Sequence, residues 1–219
     1  MKDMIIELTT EPEGTASRQQ PKRHTRTTRV PQILEVATRI FALEGSAGFT
    51  QRRIAAEAGI RLNTLQHYFG TRDELLQATI SEMANRYIDE YRELARDKYR
   101  SPESRLDAIV DNVFNSLTEP DSIWSAFVLH CWSLAEHEPF ARELMAKISG
   151  ELQELFTGLV GKINPALPTG ECALRGALLV SHLQGLLVFT RRAGDHVPDR
   201  DAFRAATKVV WKALSTTTG

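Results

Sequence analysis

Apolar side chains recur at intervals of three and four residues over most of the 219-residue chain. No segment shows the period of two that a half-buried strand would show, so the pattern predicts an all-α fold. Breaks containing Gly, Pro, Asp or Asn divide the chain into about nine helices. Pro31 is expected in the first turn of the first helix. The helices are expected to begin near residues 28, 50, 61, 73, 102, 122, 139, 170 and 198.

A compact N-terminal unit is predicted around the two short helices at 50–58 and 61–69. Gly59 lies between them and can adopt a left-handed conformation at little cost, so the chain can turn sharply there. Leu65 and Phe69, four residues apart, can anchor the second helix to the core and leave its other side chains facing outward. This arrangement is typical of a DNA-binding helix-turn-helix, and the alternative is an αα-corner without that role.

Charge is distributed unevenly, although the net charge of the chain is only −1. Residues 18–72 carry ten Lys and Arg against three Asp and Glu, or +7, whereas residues 1–17 carry −3 and residues 73–219 carry −5. A basic end on a mildly acidic body is the expected footprint of a protein that meets phosphates at one end. A solvated run of charge is the alternative. The basic arm consists of Arg18, Lys22, Arg23, Arg26 and Arg29.

Sequence motifs covering about a quarter of the chain resemble the tetracycline-repressor (TetR) family of one-component transcription regulators. They are Phe41-Ala42, Gly45, Thr50, Ile54-Ala55, Ala58-Gly59-Ile60, Thr64-Leu65, His67-Tyr68-Phe69 and Arg72-Asp73-Glu74-Leu75. Arg61, Asn63, Gln66 and Arg72 depart from the residues that the family usually has there, so the DNA sequence that is read stays open. The resemblance implies a tail at 1–27, a three-helix DNA-binding domain at 28–72, and a ligand-binding and dimerisation bundle at 73–219.

The resemblance implies that Arg52 and the exposed side chains of the second short helix contact base edges. Arginine pairs bidentately with guanine, and Asn63 or Gln66 can pair with adenine. For each position the alternative is a solvated or capping role, and Tyr68 could pack on the core instead. The predicted DNA contacts are Thr50, Arg52, Arg61, Asn63, Thr64, Gln66, His67, Tyr68 and Arg72.

The last two helices carry more apolar surface than a pair of edge helices can bury alone. Two copies of this pair would form a four-helix bundle, as in the resembled family, although ordinary intrachain core is the alternative at each position. A two-fold dimer would present two reading helices to a near-palindrome. The predicted interface is Leu174, Ala177, Leu178, Ser181, Gly185, Leu186, Phe203, Val210, Trp211 and Leu214.

A small-molecule inducer is a second expectation from the resemblance, because family members commonly hold one among helices four to seven. Aromatic and soft apolar side chains concentrate on helices four to six, although any helical body has such a core. The sequence around Trp124 and Phe127 resembles betaine-regulator-like members, which allows a cationic ligand, while hydrophobic and aromatic acids remain open. The predicted lining is Met83, Tyr87, Phe114, Trp124, Phe127, Val128, Cys131 and Trp132.

The sequence therefore predicts a repressor that a ligand releases from DNA by tilting the long fourth helix. A DNA-binding or architectural protein without an inducer is one alternative. A small helical enzyme using Cys131 and His130 is another, but neighbouring residues on a helix point about 100° apart and no orienting acid accompanies them.

Cofactors, metals and membranes are not indicated. Cys131 and Cys172 form no CxxC or Cys/His spacing, which favours a reducing cytoplasm over a disulfide framework or a zinc site. The N-terminus lacks the apolar core of an export signal. The uncharged stretch Gly176–Thr190 is too short for a bilayer span and is expected to be a buried bundle helix.

Overall fold

Helices form all the regular structure in the computed structural model, which describes residues 26–118 and 122–217, and this confirms the all-α prediction. The N-terminal part contains α1 Arg26–Gly48, α2 Gln51–Glu57, α3 Leu62–Tyr68 and α4 Arg72–Arg96. The remaining helices are α5 Pro102–Thr118, α6 Trp124–Ala135, α7 Pro139–Ile163, α8 Thr169–Arg192 and α9 Arg200–Thr216, with a 3₁₀ turn at Gly194–His196.

The beginning of α1 differs from the prediction. Pro31 was expected in the first turn, but the helix begins at Arg26 and contains Pro31 in its second turn. The predicted basic residues Arg18, Lys22 and Arg23 lie outside the described residues, as does most of the predicted tail. The predicted break at Glu119–Asp121 lies outside them as well.

Residue Gly45 interrupts α1 near its end. Its φ of 65° and ψ of −158° are non-helical, and residues other than glycine rarely adopt these backbone angles. Gly59 has a φ of 64°, which confirms the predicted left-handed turn between α2 and α3. The chain therefore turns sharply on both sides of α2.

The long helix α4 joins two apolar cores. Near its N-terminus, Leu75, Leu76 and Ile80 pack in a core formed with α1, α2, α3, α6 and the start of α7. Near its C-terminus, Tyr91 and Ala95 pack in a second core formed with α5, α7, α8 and α9. A movement of α4 would therefore displace residues in both cores.

Helix α8 packs along α7, and Gly176 lies directly against it. A Cβ built on Gly176 would lie 2.9 Å from the backbone nitrogen of Thr157, so the partner that this small residue admits is α7 of the same chain.

By length and composition α8 is also apolar enough to cross a membrane, with a mean hydropathy of 1.5 over 18 residues. A core helix of a bundle passes the same test, and the packing on α7 favours that interpretation.

Candidate functional site

The reading unit, which is α2 with α3, has the geometry that the sequence predicted. Thr50 caps α2, and its hydroxyl accepts a hydrogen bond from the backbone N–H of Arg53 at 3.3 Å. Leu65 is fully buried and Phe69 is 9% exposed, so both anchor α3 as predicted. The opposite side of α3 is consequently free to meet a partner.

Most of the predicted DNA contacts are exposed at this end of the molecule. Tyr68 is the exception on α3, because it is half-buried and packs against the core, and its ring meets that of His67 at 5.7 Å. The exposed positions are Thr50, Arg52, Arg61, Asn63, Thr64, Gln66 and His67. Among the described residues Arg52 makes no hydrogen bond or ion pair, which leaves its guanidinium available.

Arg72 was predicted to contact DNA, but the structure turns its guanidinium onto the protein. Nε donates to the carbonyl of Phe49 at 3.0 Å, and Nη2 donates to the carbonyl of Ser46 at 2.9 Å. Nη1 pairs with Asp73 at 3.1 Å. Sequence reasoning missed this role because the carbonyl partners lie 23 and 26 residues away along the chain.

A second arginine on α2 is held in an ion-pair network. Arg53 pairs with Glu57 at 3.1 Å and with Glu44 of α1, and Arg39 reaches Glu57 at 3.4 Å. The hydrogen bond from Arg53 lowers the pKa of the Glu57 carboxyl. These surface contacts join α2 to α1 at the side of the reading unit.

A small apolar cavity of about 60 Å³ lies beside α4. Six of the eight predicted ligand residues line it: Tyr87, Trp124, Phe127, Val128, Cys131 and Trp132. The other two do not, because Met83 lies on the side of α4 that faces α1, and Phe114 packs against Phe203 of α9 with ring centroids 5.5 Å apart. Neither belongs to the cavity.

The sequence did not single out the cavity walls that α7 and α8 provide. Ser149 and Gln184 contribute polar groups there, and Tyr91 closes the end toward the second core. Both helices were predicted, but only the fold shows that they face α4 and α6. The cavity contains no charged side chain among its lining residues.

Two stacked aromatic rings form part of the cavity wall. The rings of Tyr87 and Trp124 stack with centroids 3.6 Å apart and 20° between their planes.

Burial raises the pKa of the Tyr91 hydroxyl and of the Cys131 thiol, so both stay protonated at neutral pH. A protonated, buried thiol is a poor nucleophile, and His130 packs against Phe41 and Gly45 in the N-terminal part.

The predicted dimer surface divides between exposed and buried positions. Leu186 and Trp211 are 2% and 0% exposed, so they are corrected to the core of the single chain. Ala177, Phe203 and Leu214 are half-buried. Leu174, Leu178, Ser181, Gly185 and Val210 are exposed, and the apolar residues Val188, Phe189 and Val209, which were not predicted, are exposed with them.

Comparisons with known proteins agree with these features. The family model described as bacterial regulatory proteins, tetR family, matches residues 33–79, and the model of the BetI-type transcriptional repressor C-terminal domain matches residues 102–214. The HTH-type transcriptional regulator BetI of Burkholderia lata is 28% identical over 191 residues, which is 85% of this chain and 94% of that protein.

Solved structures share the fold at low sequence identity. A TetR-like transcriptional regulator from Rhodococcus sp. RHA1 is 21% identical with a TM-score of 0.66, covering 89% of this chain and all of that one. A protein from Saccharomonospora viridis, solved in complex with choline, is 17% identical with a TM-score of 0.71, covering 85% and 97%.

Proposed function

The chain belongs to the tetR family of bacterial regulatory proteins, with a BetI-type C-terminal domain, and we propose that it is a ligand-released repressor. As a member of this family it is a DNA-binding transcription regulator rather than an enzyme. In the proposal, a homodimer in the cytoplasm binds a near-palindromic operator through α3, and a small organic molecule in the cavity lowers the affinity for that operator.

The exposed polar face of α3 is the observation that carries the DNA-reading part. Arg61, Asn63 and Gln66 can each donate to base edges in the major groove. Arg52, which has no hydrogen bond or ion pair within the part of the chain that the structure describes, adds a guanidinium from α2. The side chains of Thr50 and His67 are exposed beside them and are proposed to contact phosphate, which fixes register without reading sequence.

The exposed apolar stripe on α8 supports a homodimer. Leu174 and Leu178 are 57% and 44% exposed, and the stripe continues through Gly185 to Val188 and Phe189. Contiguous apolar surface of this kind marks an interaction site on a soluble protein. A two-fold dimer built on α8 and α9 leaves both copies of α3 free for two half-sites about one DNA turn apart.

The cavity supports the proposal of a small-molecule inducer. It lies against α4, which reaches from the reading unit into the second core, so a ligand there contacts the helix that a repressor would have to move. Its volume is below the roughly 150 Å³ of an engineered cavity that takes up benzene. A ligand must therefore separate the walls, for example at the Tyr87–Trp124 stack, and this displacement links binding to movement.

Aromatic and apolar contacts would hold the ligand, because charged side chains are absent from the lining residues. The S. viridis protein binds choline, and the faces of Tyr87, Trp124 and Trp132 can attract an organic cation. An uncharged aromatic molecule suits the same walls. The proposal is a small organic inducer of one of these two kinds.

Fluorescence anisotropy tests the DNA-binding part. The purified protein is titrated into DNA from the region beside its own gene, into a duplex selected from randomised DNA, and into scrambled DNA, over a salt series. A preference of about 10³-fold or more for one duplex, with a negative salt slope, supports a specific regulator. Equal weak binding to all DNAs supports the architectural alternative.

A thermal-shift screen of choline, betaine and small aromatic molecules tests the inducer. A compound that raises the melting temperature and releases the selected duplex supports a ligand-released repressor. A compound that tightens DNA binding indicates a corepressor instead. Insensitivity to the whole library favours a regulator without an inducer.

A further inference from the structure

We propose that Arg72 is a positioning residue that fixes the reading unit to the start of α4, and that it is not a phosphate contact. The inference rests on the proposed reading of DNA by α3 and adds a residue that controls how α3 is held. It also identifies the route by which a movement of α4 reaches the reading unit.

The Arg72 guanidinium bonds to the end of α1 and to the segment that joins α1 to α2. Besides the carbonyls of Phe49 and Ser46, Nη2 also reaches the Ser46 hydroxyl at 2.6 Å. The guanidinium carbon lies 5.9 Å from the centre of the Phe49 ring. The rigid, planar arrangement of its N–H groups suits such multiple acceptors, and three of its four hydrogen-bond partners are neutral atoms of Ser46 and Phe49.

The bridged segment determines where α2 begins. Phe49 is fully buried and meets the Phe41 ring at 5.8 Å, so its carbonyl is held in a fixed place. The next residue, Thr50, caps α2. By holding the Phe49 carbonyl, Arg72 therefore ties the first turn of α4 to the first turn of α2.

A second tie completes the connection on the other side. The Gln51 side chain, in the first turn of α2, donates to the carbonyls of Phe69 and Gly70 at 2.9 and 3.3 Å. Its oxygen accepts from the Gln66 side chain of α3 at 3.3 Å. The end of α3 is thus bound to the start of α2, and α2 is bound to α4 by Arg72.

These two ties form a closed connection through α4, α2 and α3. Since the chain itself joins α3 to α4 at Thr71, a rotation of the first turn of α4 reaches the C-terminal end of α3 by two routes, through the chain and through α2. These bonds use four of the five N–H groups of the guanidinium, so a bidentate phosphate contact would have to break at least one of them.

Replacement of Arg72 by lysine distinguishes a positioning role from a phosphate contact. An ammonium group is an effective point charge for phosphate, but it lacks the planar set of donors that reaches Ser46 and Phe49 together. We therefore compare R72K and R72Q with R96Q. Arg96 lies at the far end of the same helix, is exposed and makes no described hydrogen bond, so its replacement controls for the lost charge.

The experiment measures anisotropy on the selected duplex and on scrambled DNA, over a salt series, well below each variant's unfolding temperature. We expect R72K and R72Q to lose tenfold or more of the preference for the selected duplex. R72K should have the same slope of log affinity against log salt as the wild type. R72Q should have the same slope as R96Q, which loses the same charge. R96Q should keep the preference.

Two results overturn the proposal. If R72K binds as the wild type does, while R72Q weakens both DNAs equally and reduces the salt slope by about 0.9 for each subunit, then Arg72 contacts phosphate. If both variants unfold at lower temperature but keep the preference, then Arg72 only stabilises the fold. Absence of any preference in the wild type would instead contradict the proposed function itself.

Discussion

The imidazole of His130 in α6 lies directly against the backbone of Gly45 in α1. A Cβ built on Gly45 would be 2.8 Å from Nδ1 of His130, a separation that Cβ atoms essentially never show. The residue after His130 is Cys131, which lines the cavity. Helix α6 therefore lines the cavity, in part through Cys131, and meets the break in α1 through the neighbouring His130.

Replacement of Gly45 by alanine should destabilise the protein. The φ of 65° with ψ of −158° is strained for alanine, and the new methyl group would overlap His130. We expect the free energy of unfolding, measured in urea, to fall by about 1–3 kcal/mol.

Two further variants separate the causes. H130A in the G45A background removes the overlap but not the backbone strain, so it should restore part of the loss. G150A is the matched control, since nothing lies within 4 Å of a Cβ there and Gly150 is inside α7, and it should be neutral or stabilising. A G45A protein as stable as the wild type would contradict the argument.

Filling the cavity should remove the ligand response without affecting DNA binding. Ser149 of α7 lines the cavity, and S149L places a larger apolar side chain toward its centre. We expect compounds that stabilise the wild type to lose at least tenfold in affinity, measured by calorimetry, because the leucine occupies their space. Affinity for the selected DNA should change less than twofold.

The control for this variant is S149A, which removes the hydroxyl without filling the space. It should keep the ligand response, with a small change if the hydroxyl bonds to the ligand. Wild-type ligand affinity in S149L would place the ligand elsewhere on the molecule.

Placing a charge on the exposed face of α8 should separate the proposed dimer. In a two-fold interface L178E introduces a carboxylate on both copies, each desolvated without a partner. We expect sedimentation at micromolar concentration to give dimers for the wild type and monomers for L178E. Operator affinity should fall by at least tenfold, because one α3 instead of two is then bound.

The matched control is Y99E, which adds the same charge at a side chain that is fully exposed and lies between α4 and α5. It should remain a dimer. A wild-type protein that sediments as a monomer, or an L178E protein that stays a dimer, would exclude this face.

Local patterns were enough to predict the helices and the reading unit. Apolar spacing, Gly59 and the Thr50 cap each act within a few residues, so the sequence shows them directly. The cavity walls from α7 and α8 depend on which faces meet, as do the Arg72 bonds to Ser46 and Phe49. Trp211 had an apolar pattern typical of an interface, but its side chain packs on Phe156 within the chain, with ring centroids 5.2 Å apart.

The indole N–H of the buried Trp211 needs a hydrogen-bond acceptor, and this need makes folding stability depend on pH. Its indole Nε1 donates to Nδ1 of His182 at 2.6 Å, so this histidine nitrogen must be unprotonated. Burial lowers the pKa of His182 below its ordinary value of 6.5. The unfolded chain therefore binds more protons than the folded chain below pH 6.5, and folding stability is lost as the pH falls from 6.5 toward the lowered pKa.

Urea unfolding of the wild type and H182N between pH 7.5 and 5 measures this dependence. The asparagine oxygen can accept the Trp211 hydrogen bond but does not titrate, so the two proteins should differ little in stability above pH 7. Below pH 6.5 the wild type should lose stability faster than H182N, while W211F should weaken the dependence because its ring needs no acceptor. Parallel pH profiles for the wild type and H182N would show that His182 titrates alike in the folded and unfolded chains.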